Sequence, residues 1–378
     1  MARFSAPPCA SRRRFLHRLS LSSLALGGGL HWLRAADAPA EDLLRGRDKL
    51  GVALVGLGSY AGGQLAPSLR ETKLCRFAGA VTGEAQKGRA WAREYGFPES
   101  SVYHYDGMDD LADNPEIDIV YVVTPPGFHR EPAEKAARAG KHVICEKPMA
   151  PSVEDCDAMI RTCEDNGVLL SIGYRLHFHP YHQRVKALAR SEEWGAFERL
   201  SGGFGFPVNH RSWRLTEEMG GGPLMDVGIY VIQSACMAKA GEAPESVTAQ
   251  EHEVTRPELF DEVEEGIDFQ LRWADGAVCE GTTSFARYSN RFRAEADRGW
   301  IELDPAFSYD GIAGRTSEGR LEKITGFNQQ ARQMDGFAEC ILRGTPSSVP
   351  GEMGRRDIAI IEAIFRAAKS GQRERVEA

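Results

Sequence analysis

The chain has 378 residues, which is too long for one comfortable hydrophobic core and favours two domains. Its composition is that of a globular protein, with 42% hydrophobic and 26% charged residues. The formal net charge of -8 argues against a nucleic acid partner, because a phosphate backbone requires clustered lysine and arginine side chains. Small anionic ligands are not excluded, since they need only local positive charge.

The N-terminal residues predict an export signal. Residues 11–16 form a basic head that contains twin arginines, residues 19–33 are apolar and small, and Ala38 and Ala40 stand at the positions that a signal peptidase reads. Twin arginines of this kind direct folded proteins, often with a cofactor bound, across the bacterial inner membrane. We therefore expect a signal peptide over residues 1–40 and a periplasmic protein. No later segment has the ~18 consecutive apolar residues of a membrane span.

After a short arm over residues 41–49, short apolar runs alternate with helical periodicity. Continuous apolar runs between helices indicate βαβ units and a parallel sheet covered on both faces. We expect strands at 51–55, 77–81, 119–123, 142–145 and 168–172, with helices at 85–95, 131–139 and 153–164. The pattern predicts a Rossmann dinucleotide-binding domain over residues 50–172.

From residue 173 the runs become longer and alternate apolar with polar residues. We expect strands at 198–206, 246–254, 266–273, 277–285 and 300–303. Alternation predicts a broad, mostly antiparallel open sheet with helices on one face. A last helix over 357–368 should stop before Gly371 and pack back on the domain. The fold class is therefore α/β followed by α+β, with a second domain over residues 173–378.

A glycine-rich loop follows the first predicted strand. It contains Gly56, Leu57, Gly58, Ser59 and Tyr60. Two glycines allow a tight turn and the close approach of a pyrophosphate, which then lies at the N-terminus of the next helix. The strand, loop and helix in this order predict a nicotinamide dinucleotide site.

The residues at the end of the second expected strand predict which of the two nicotinamide cofactors binds. An acidic residue there would bind the ribose hydroxyl and repel a 2′-phosphate. The position holds Thr82, and Lys87 lies one turn into the following helix. Both side chains can donate to a phosphate, so we favour NADP over NAD. Glu84 is the residue that would favour NAD if it turned toward the ribose.

Two further segments carry candidate catalytic residues. Glu146 and Lys147 follow the fifth expected strand, at the edge where open α/β sheets bind their ligands. A lysine there can hold a sugar hydroxyl and tune a neighbouring acid or base. Asp226 and Tyr230 are four residues apart, so they share one face of a helix and can hold a hydroxyl and relay its proton.

Together these motifs resemble the glucose-fructose oxidoreductase family, within the Gfo/Idh/MocA group of sugar and inositol dehydrogenases. The resemblance runs from about residue 50 to the final helix and includes the exported leader. It rests on the glycine loop of residues 56–63 and on the motifs at residues 145–150, 172–175, 212–215 and 225–230.

The resemblance implies a role for each matching residue. Lys147 would contact substrate and tune proton transfer, Tyr230 would be the acid or base, and Asp226 would position substrate. Tyr174 and Arg175 would line the substrate side of the cleft. Residues implied to bind cofactor, besides the glycine loop, are Thr82, Lys87, Thr124, Pro125, His129, Glu146, Lys147, Arg175, Trp213 and Arg214.

Two departures from the family leave parts of this transfer open. Pro126 stands where the family commonly has an asparagine before the later His129, so cofactor contacts there must differ. The arm over residues 41–49 is shorter than the arm of glucose-fructose oxidoreductase that wraps a neighbouring subunit. We expect a homo-oligomer and leave dimer or tetramer open, together with whether the cofactor dissociates.

Three histidines lie close together in sequence, at His177, His179 and His182. The spacing of the first two suits a metal on a strand, but no cysteine or carboxylate stands nearby with convincing spacing. We therefore expect no metal and place His177 and His179 at a polar rim of the cleft, where they would touch sugar hydroxyls.

Three functions follow in order of preference. The first is an NADP-dependent aldose or aldose–ketose oxidoreductase that recycles a tightly bound cofactor between two sugars. The second is a simple sugar or anhydrosugar dehydrogenase or reductase that releases its cofactor. The third is a dinucleotide-binding protein without catalysis, which the presence of Lys147, Asp226 and Tyr230 disfavours.

Overall fold

The computed structural model describes Leu44 and residues 48–378. The expected signal peptide over residues 1–40 and most of the arm over residues 41–49 lie outside the described residues. The two sheets described below belong to one compact unit. In the described part of the chain, no helix is both long and apolar enough to cross a membrane.

The first half of the chain forms a six-stranded parallel sheet in the order β3-β2-β1-β4-β5-β6. Every residue of the first strand is buried, as expected where helices cover both faces. The order is that of a dinucleotide-binding sheet, in which ligands bind beyond the carboxyl ends of the central strands. The strands are β1 (Leu50–Val55), β2 (Cys75–Val81), β3 (Val102–Tyr103), β4 (Ile119–Val122), β5 (His142–Cys145) and β6 (Leu170–Ile172).

Helices connect these parallel strands. One π-helical turn, Ala61–Leu65, runs directly into the first α-helix. Ser152 caps the fourth helix by accepting a hydrogen bond from the backbone N–H of Asp155. The α-helices are α1 (Ala66–Leu69), α2 (Ala85–Tyr95), α3 (Arg130–Arg138) and α4 (Val153–Asp165), and short 3-10 helices lie at Glu99–Ser101, Tyr105–Asp113 and Pro126–Phe128.

The second half forms a nine-stranded sheet in the order β14-β13-β12-β11-β7-β10-β9-β8-β15. All neighbouring strands are antiparallel except β7 and β10, which are parallel. Both sheet types therefore confirm the expected fold class. The strands are β7 (Arg199–Gly205), β8 (Ser246–Glu251), β9 (Gly266–Arg272), β10 (Val278–Ser284), β11 (Ser289–Ala296), β12 (Gly299–Leu303), β13 (Gly314–Thr316), β14 (Gly319–Arg320) and β15 (Glu374–Arg375).

Helices cover one face of this second sheet. Helix α6 packs on the central strands β7, β10 and β11, and the last helix packs on β8 and on α4 of the first domain. Gly371 ends the last helix with a positive φ of 67°, as its sequence position indicates. The helices are α5 (Pro180–Ser191), α6 (Ile229–Ala238), α7 (Gln329–Arg343) and α8 (Gly351–Ser370).

Helix α7 completes the first domain from near the end of the chain. Its buried residues Met334 and Phe337 belong to the same apolar cluster as the strands β1 and β4. The carboxylate of Asp335 accepts hydrogen bonds from the backbone N–H groups of Lys73 and Leu74 at 2.9–3.0 Å. A helix far away in sequence therefore fixes the start of β2.

The sequence analysis gave no bounds for several elements, among them α7 and β11. Strand β11 carries only three buried side chains, Asn290, Phe292 and Ala294, and its other face is charged, so its apolar signal is weak. In α7 a glycine interrupts the helical pattern at Gly336. Helix α7 depends on contacts that lie far away in sequence, and β11 pairs both with the next strand, β12, and with the distant strand β7.

We expect the substitution Phe337→Ala to destabilise the protein by about 3–5 kcal/mol, because Phe337 is 2% exposed inside the first domain. Urea unfolding of the full chain, followed by tryptophan fluorescence, measures the change. Arg332→Ala, an exposed position on the same helix, is the control and should cost less than about 0.5 kcal/mol. Equal effects of both substitutions would show that α7 does not belong to this core.

Candidate active site

The loop after β1 leaves open space at the start of a helix. Gly56 has a φ of 91°, which disfavours any side chain, and its N–H donates to the carbonyl oxygen of Val81 at 3.0 Å. A Cβ atom at Gly58 would meet no atom within 4 Å, and helical residues begin at Ser59. N–H groups in a first helical turn lack intrahelical acceptors and attract anions. The loop therefore has the room and the donors for a pyrophosphate.

The residues that follow β2 lie together in the structure. The hydroxyl of Thr82 accepts a hydrogen bond from the backbone N–H of Glu84 at 3.1 Å and keeps its own proton to donate. The ammonium of Lys87 lies 3.7 Å from a carboxylate oxygen of Glu84. A phosphate bound here would therefore compete with Glu84 for the positive charge of Lys87.

Lys147 links the first domain to the second. It comes two residues after β5, and its Nζ donates to the backbone oxygen of Asp226 at 2.8 Å and to Oδ1 of Asp226 at 3.1 Å. Asp226 lies in a π-helical turn, Leu224–Gly228, that leads into α6. The contact places the carboxyl edge of the parallel sheet against the start of this helix.

Asp226 lies between two cations. Its second oxygen, Oδ2, accepts a hydrogen bond from Nε of Arg214 at 2.7 Å. Burial alone would raise the pKa of Asp226, but Lys147 and Arg214 outweigh it and lower that pKa. Burial also opposes the charge of Lys147, yet Tyr230, Asp226 and Glu146 hold the pKa of Lys147 above its ordinary value. Both groups are therefore ionised at neutral pH.

The ring of Tyr230 lies beside two cations. The ammonium of Lys147 is 4.8 Å from its centroid, and the guanidinium carbon of Arg175 is 5.0 Å away. On its other sides the ring packs against Phe204 and Phe307, with centroids at 5.4 and 5.9 Å. These contacts fix the ring, so the phenol is presented in one orientation.

These side chains face a cleft of about 250 Å³ between the two sheets. Residues from both domains line this cleft. The structure therefore brings the glycine loop together with Glu146, Lys147, Asp226 and Tyr230. Leu57, also predicted in the loop, is buried in the apolar cluster of the first sheet. The cleft is lined by Gly58, Ser59, Tyr60, Ala61, Val123, Thr124, Pro125, Pro126, Glu146, Lys147, Trp213, Arg214, Asp226, Tyr230 and Tyr309.

Tyr309 is a cleft residue that the sequence analysis missed. It lies in the loop after β12, its ring centroid is 5.9 Å from that of Tyr60, and the guanidinium of Arg175 lies 4.5 Å from its ring. Burial and the neighbouring Tyr230 raise the pKa of Tyr309 to about 12. Its hydroxyl is therefore protonated at neutral pH and can donate to a ligand. The only sequence signal is an aromatic residue beside the turn residues Asp310 and Gly311.

The four predicted substrate-side residues are buried and do not line the cleft. Arg175 is 3% exposed and donates to the backbone oxygens of Phe307 at 2.5 Å and Ser308 at 3.2 Å. It therefore supports the loop of Tyr309 from behind. The hydroxyl of Tyr174 is buried, and its ring stacks on that of His177.

The structure does not place His177 and His179 at the polar rim of the cleft where we expected them. His177 is buried, with Nε2 2.8 Å from Oε1 of Gln233, and His179 caps α5 by accepting from the backbone N–H of Tyr181. Burial lowers the pKa of His177 to about 3 and that of His179 to about 4, so both are neutral. Among the described residues, no group of three histidine, cysteine or acidic side chains is placed to hold a metal ion.

His129 lies beneath the cleft and joins two loops. Its Nε2 is 2.7 Å from the carbonyl oxygen of Thr124, and its Nδ1 is 3.1 Å from that of Pro148. Burial lowers the pKa of His129 to about 4. The hydroxyl of Thr124 donates to the backbone oxygen of Phe128 at 2.8 Å. His129 therefore holds the loops that form the floor, and Thr124 and Pro125 line the cleft itself.

The sequence matches known families along both domains. Residues 50–174 match the oxidoreductase family with an NAD-binding Rossmann fold, and residues 182–302 match the Gfo/Idh/MocA C-terminal domain. The crystal structure of aldose-aldose oxidoreductase from Caulobacter crescentus, complexed with glycerol, is 40% identical with a TM-score of 0.83. The comparison covers 86% of this chain and 99% of that chain. This chain belongs to the Gfo/Idh/MocA oxidoreductase family.

More distant relatives of the Gfo/Idh/MocA chain include two enzymes with assigned activities. D-xylose 1-dehydrogenase [NADP(+)] from Haloarcula marismortui is 28% identical over 340 residues, which cover 86% of this chain and 92% of the relative. The 1,5-anhydro-D-fructose reductase of Ensifer adhaerens is 26% identical, with coverage of 79% and 90%. The family resemblance found in the sequence motifs is thus confirmed, and the Rossmann domain is one that binds NAD(P).

We expect Gly58→Val to weaken dinucleotide binding at least ~10-fold without loss of stability, because the new side chain would fill the open space above the loop. Calorimetric titration of the cofactor-free protein, together with its thermal unfolding, measures both properties. Gly63→Val is the matched control, since a Cβ there also meets no atom within 4 Å but lies outside the cleft lining. Unchanged affinity in Gly58→Val would remove the loop from the dinucleotide site.

Proposed function

We propose that the protein is an NADP-dependent sugar oxidoreductase that converts an aldose to its lactone and returns the hydride to a second sugar. The observation that carries this proposal is the contact of Lys147 with Asp226 beside Tyr230, in a cleft that the glycine loop also lines. The 40% identical aldose-aldose oxidoreductase supports the reaction class. The xylose and anhydrofructose enzymes support a sugar as substrate.

The residues of the cleft divide the chemistry between them. When bound at the glycine loop, NADP supplies the carbon that accepts or returns the hydride. As the C1–H bond of a cyclic aldose breaks, the proton of its C1 hydroxyl passes to the phenolate oxygen of Tyr230, and the C1–O bond becomes the lactone carbonyl. Reduction of the second sugar runs this transfer in reverse. The ammonium of Lys147 attracts the negative charge that develops on the reacting oxygen.

Asp226 acts by holding this arrangement in place. Its two carboxylate oxygens bind Lys147 and Arg214 separately, so the ammonium is fixed at 2.8–3.1 Å from a buried acceptor. One hydrogen of the ammonium remains for a sugar hydroxyl, because Nζ has three donors and two are used within the protein. Tyr309 also lines the cleft, and its protonated hydroxyl can donate to a further sugar hydroxyl.

NADP is favoured over NAD by the pocket after β2. Thr82 offers a hydroxyl proton and Lys87 offers a cation, and both suit a 2′-phosphate. The NADP-dependent xylose dehydrogenase relatives support this preference. Glu84 opposes it in part, since its carboxylate already pairs with Lys87.

The twin-arginine leader over residues 1–40 supports export of the folded protein to the periplasm. Free nicotinamide cofactors are made in the cytoplasm, so a periplasmic enzyme benefits from a cofactor that stays bound between turnovers. A tightly held cofactor and a homo-oligomer, dimer or tetramer, are parts of the same proposal. The second candidate is a sugar or anhydrosugar dehydrogenase that releases its cofactor, which the anhydrofructose reductase relative favours.

One experiment distinguishes the enzyme that retains its cofactor from the dehydrogenase that releases it. The purified protein is desalted, and the absorbance of reduced nicotinamide is followed as an aldose and then a second sugar are added. If the cofactor is retained, absorbance rises with the aldose and falls with the second sugar without added NADP. A response only when free NADP is supplied would favour the releasing dehydrogenase, and no response to a panel of aldoses and ketoses would contradict both.

We expect Lys147→Met and Tyr230→Phe each to lower kcat/KM for the best sugar by about 10²–10⁴-fold, because each removes a group from the proton transfer. Thermal unfolding should shift little in Tyr230→Phe, since its ring packing is preserved. Arg291→Met, an exposed position on β11, is the control for a lost cation and should retain full turnover. Full turnover in Lys147→Met would remove that residue from the chemistry.

We expect Lys87→Ala to raise the Kd of NADP about 10-fold and to leave the Kd of NAD unchanged, because only the 2′-phosphate would contact the ammonium. Titration of cofactor-free protein with each dinucleotide measures the ratio. Arg93→Ala, in the last turn of the same helix, should leave both affinities as they are. An equal loss for both cofactors would contradict a phosphate contact at Lys87.

A further inference from the structure

A chain of buried hydrogen bonds connects helix α7 with the candidate active site. Nε2 of Gln333 donates to the hydroxyl of Tyr121 at 2.5 Å, and that hydroxyl donates to Oε1 of Glu146 at 2.6 Å. Gln333 is 1% exposed, Tyr121 is fully buried and Glu146 is 7% exposed. The chain runs from the C-terminal part of the sequence through the central strand β4 to the residue before Lys147.

The donors around Glu146 favour the ionised form of its carboxyl group. A tyrosine hydroxyl has one proton, and because Tyr121 accepts from the amide of Gln333, that proton points to Glu146. The second oxygen of Glu146, Oε2, accepts from the backbone N–H of Lys147 at 3.2 Å. Both oxygens therefore act as acceptors, which is the pattern of an ionised carboxylate.

Close packing against Gly173 holds the carboxylate of Glu146 in its position. A Cβ atom at Gly173 would lie 2.6 Å from Oε1 of Glu146 and 2.8 Å from its carboxyl carbon. A glycine is therefore required at this point, because any side chain would push Glu146 away from Tyr121. The close approach holds Oε1 at the end of the hydrogen-bonded chain.

Opposing forces act on the charge of Glu146. Tyr121 and Lys147 favour the ionised form, but burial outweighs them and holds the pKa of Glu146 above its ordinary value. The other charged and titratable groups that interact with it come from four neighbouring segments. They are the cation Arg175 after β6 and three groups that are neutral at neutral pH, namely Tyr60 at the glycine loop, Tyr309 in the loop after β12, and Cys145 in its own strand.

We infer that Gln333 and Tyr121 are positioning residues that keep Glu146 ionised beside Lys147. The inference rests on the proposed role of Lys147 in proton transfer. A negative Glu146 supports the positive charge of Lys147, which the reacting oxygen needs. Helix α7 does not line the cleft. It therefore acts on Lys147 only through two other side chains, those of Tyr121 and Glu146.

The variants Tyr121→Phe and Gln333→Met test this connection. Loss of a donor to the carboxylate makes ionisation of Glu146 harder, so its protonation extends to higher pH. We expect the acid limb of the kcat–pH profile for aldose oxidation to move up by about one pH unit in both variants. The KM for the sugar should change less than about 2-fold, and kcat should recover at high pH.

A matched control lies on the same helix. Gln330 is also a buried glutamine, 3% exposed, but its amide faces Gln64 and not Tyr121. Gln330→Met should leave the pH profile where it is. In a Glu146→Gln background, Tyr121→Phe and Gln333→Met should produce no further shift, because the charge on which they act is absent.

A uniform loss of kcat at every pH in Tyr121→Phe and Gln333→Met would overturn the inference and leave these residues a structural role. A second readout does not depend on turnover. Infrared titration of the carboxyl C=O band, assigned with Glu146→Gln, should show Glu146 protonating at higher pH in Tyr121→Phe than in the unmodified protein. An unchanged titration would also overturn the inference, whereas a shifted titration in a protein that oxidises no sugar would contradict only the proposed function.

Discussion

The buried contact of Lys147, Asp226 and Arg214 is the constraint on which the rest of the site depends. A buried carboxylate is costly unless each oxygen has a partner, and here each oxygen of Asp226 has its own cation. Breaking the group by removing one cation would leave an uncompensated charge in the interior. The two sheets must therefore meet so that the carboxyl end of β5 reaches the helix that carries Asp226.

The second domain fixes the start of the helical segment that carries Asp226. The carboxylate of Glu264 accepts a hydrogen bond from the backbone N–H of Leu224 at 2.9 Å, and the hydroxyl of Thr283 donates to the backbone oxygen of Pro223 at 3.0 Å. Both anchors come from the strand region of the second domain, and they fix the first turn of the helix. The ion pairs of Asp226 with Lys147 and Arg214, together with these two hydrogen bonds, thus set the position of Tyr230 relative to the glycine loop.

How much could be predicted follows from how local each feature is. The glycine loop, Lys147 and Asp226 could be assigned to the candidate site because a strand end, a loop and a helix start are each specified by adjacent residues. Strand alternation also predicted most of the second sheet. Tyr309 could not be found, because its place in the cleft depends on Arg175 behind it and on Tyr60 from the other domain.

His177 and His179 show the same limit of sequence analysis, because the sequence suggested a position that the structure does not show. A cluster of polar side chains in sequence suggested a polar rim of the cleft, but the chain folds so that His177 pairs with Gln233 and His179 caps a helix. Burial is a property of the whole fold, and one polar segment does not reveal whether its partners are water or protein. Helix α7 was missed for a related reason, since its apolar face is completed by strands more than 200 residues away.

The most direct measurement follows the hydride itself. The desalted protein, with no cofactor added, is incubated with an aldose that carries deuterium at C1 and with a second, unlabelled sugar, and the products are analysed by mass spectrometry. We expect one deuterium in the reduced second sugar, because the hydride passes through a cofactor that stays at the glycine loop. Lactone and reduced sugar without deuterium transfer, or no products at all, would contradict a sugar oxidoreductase with a retained cofactor.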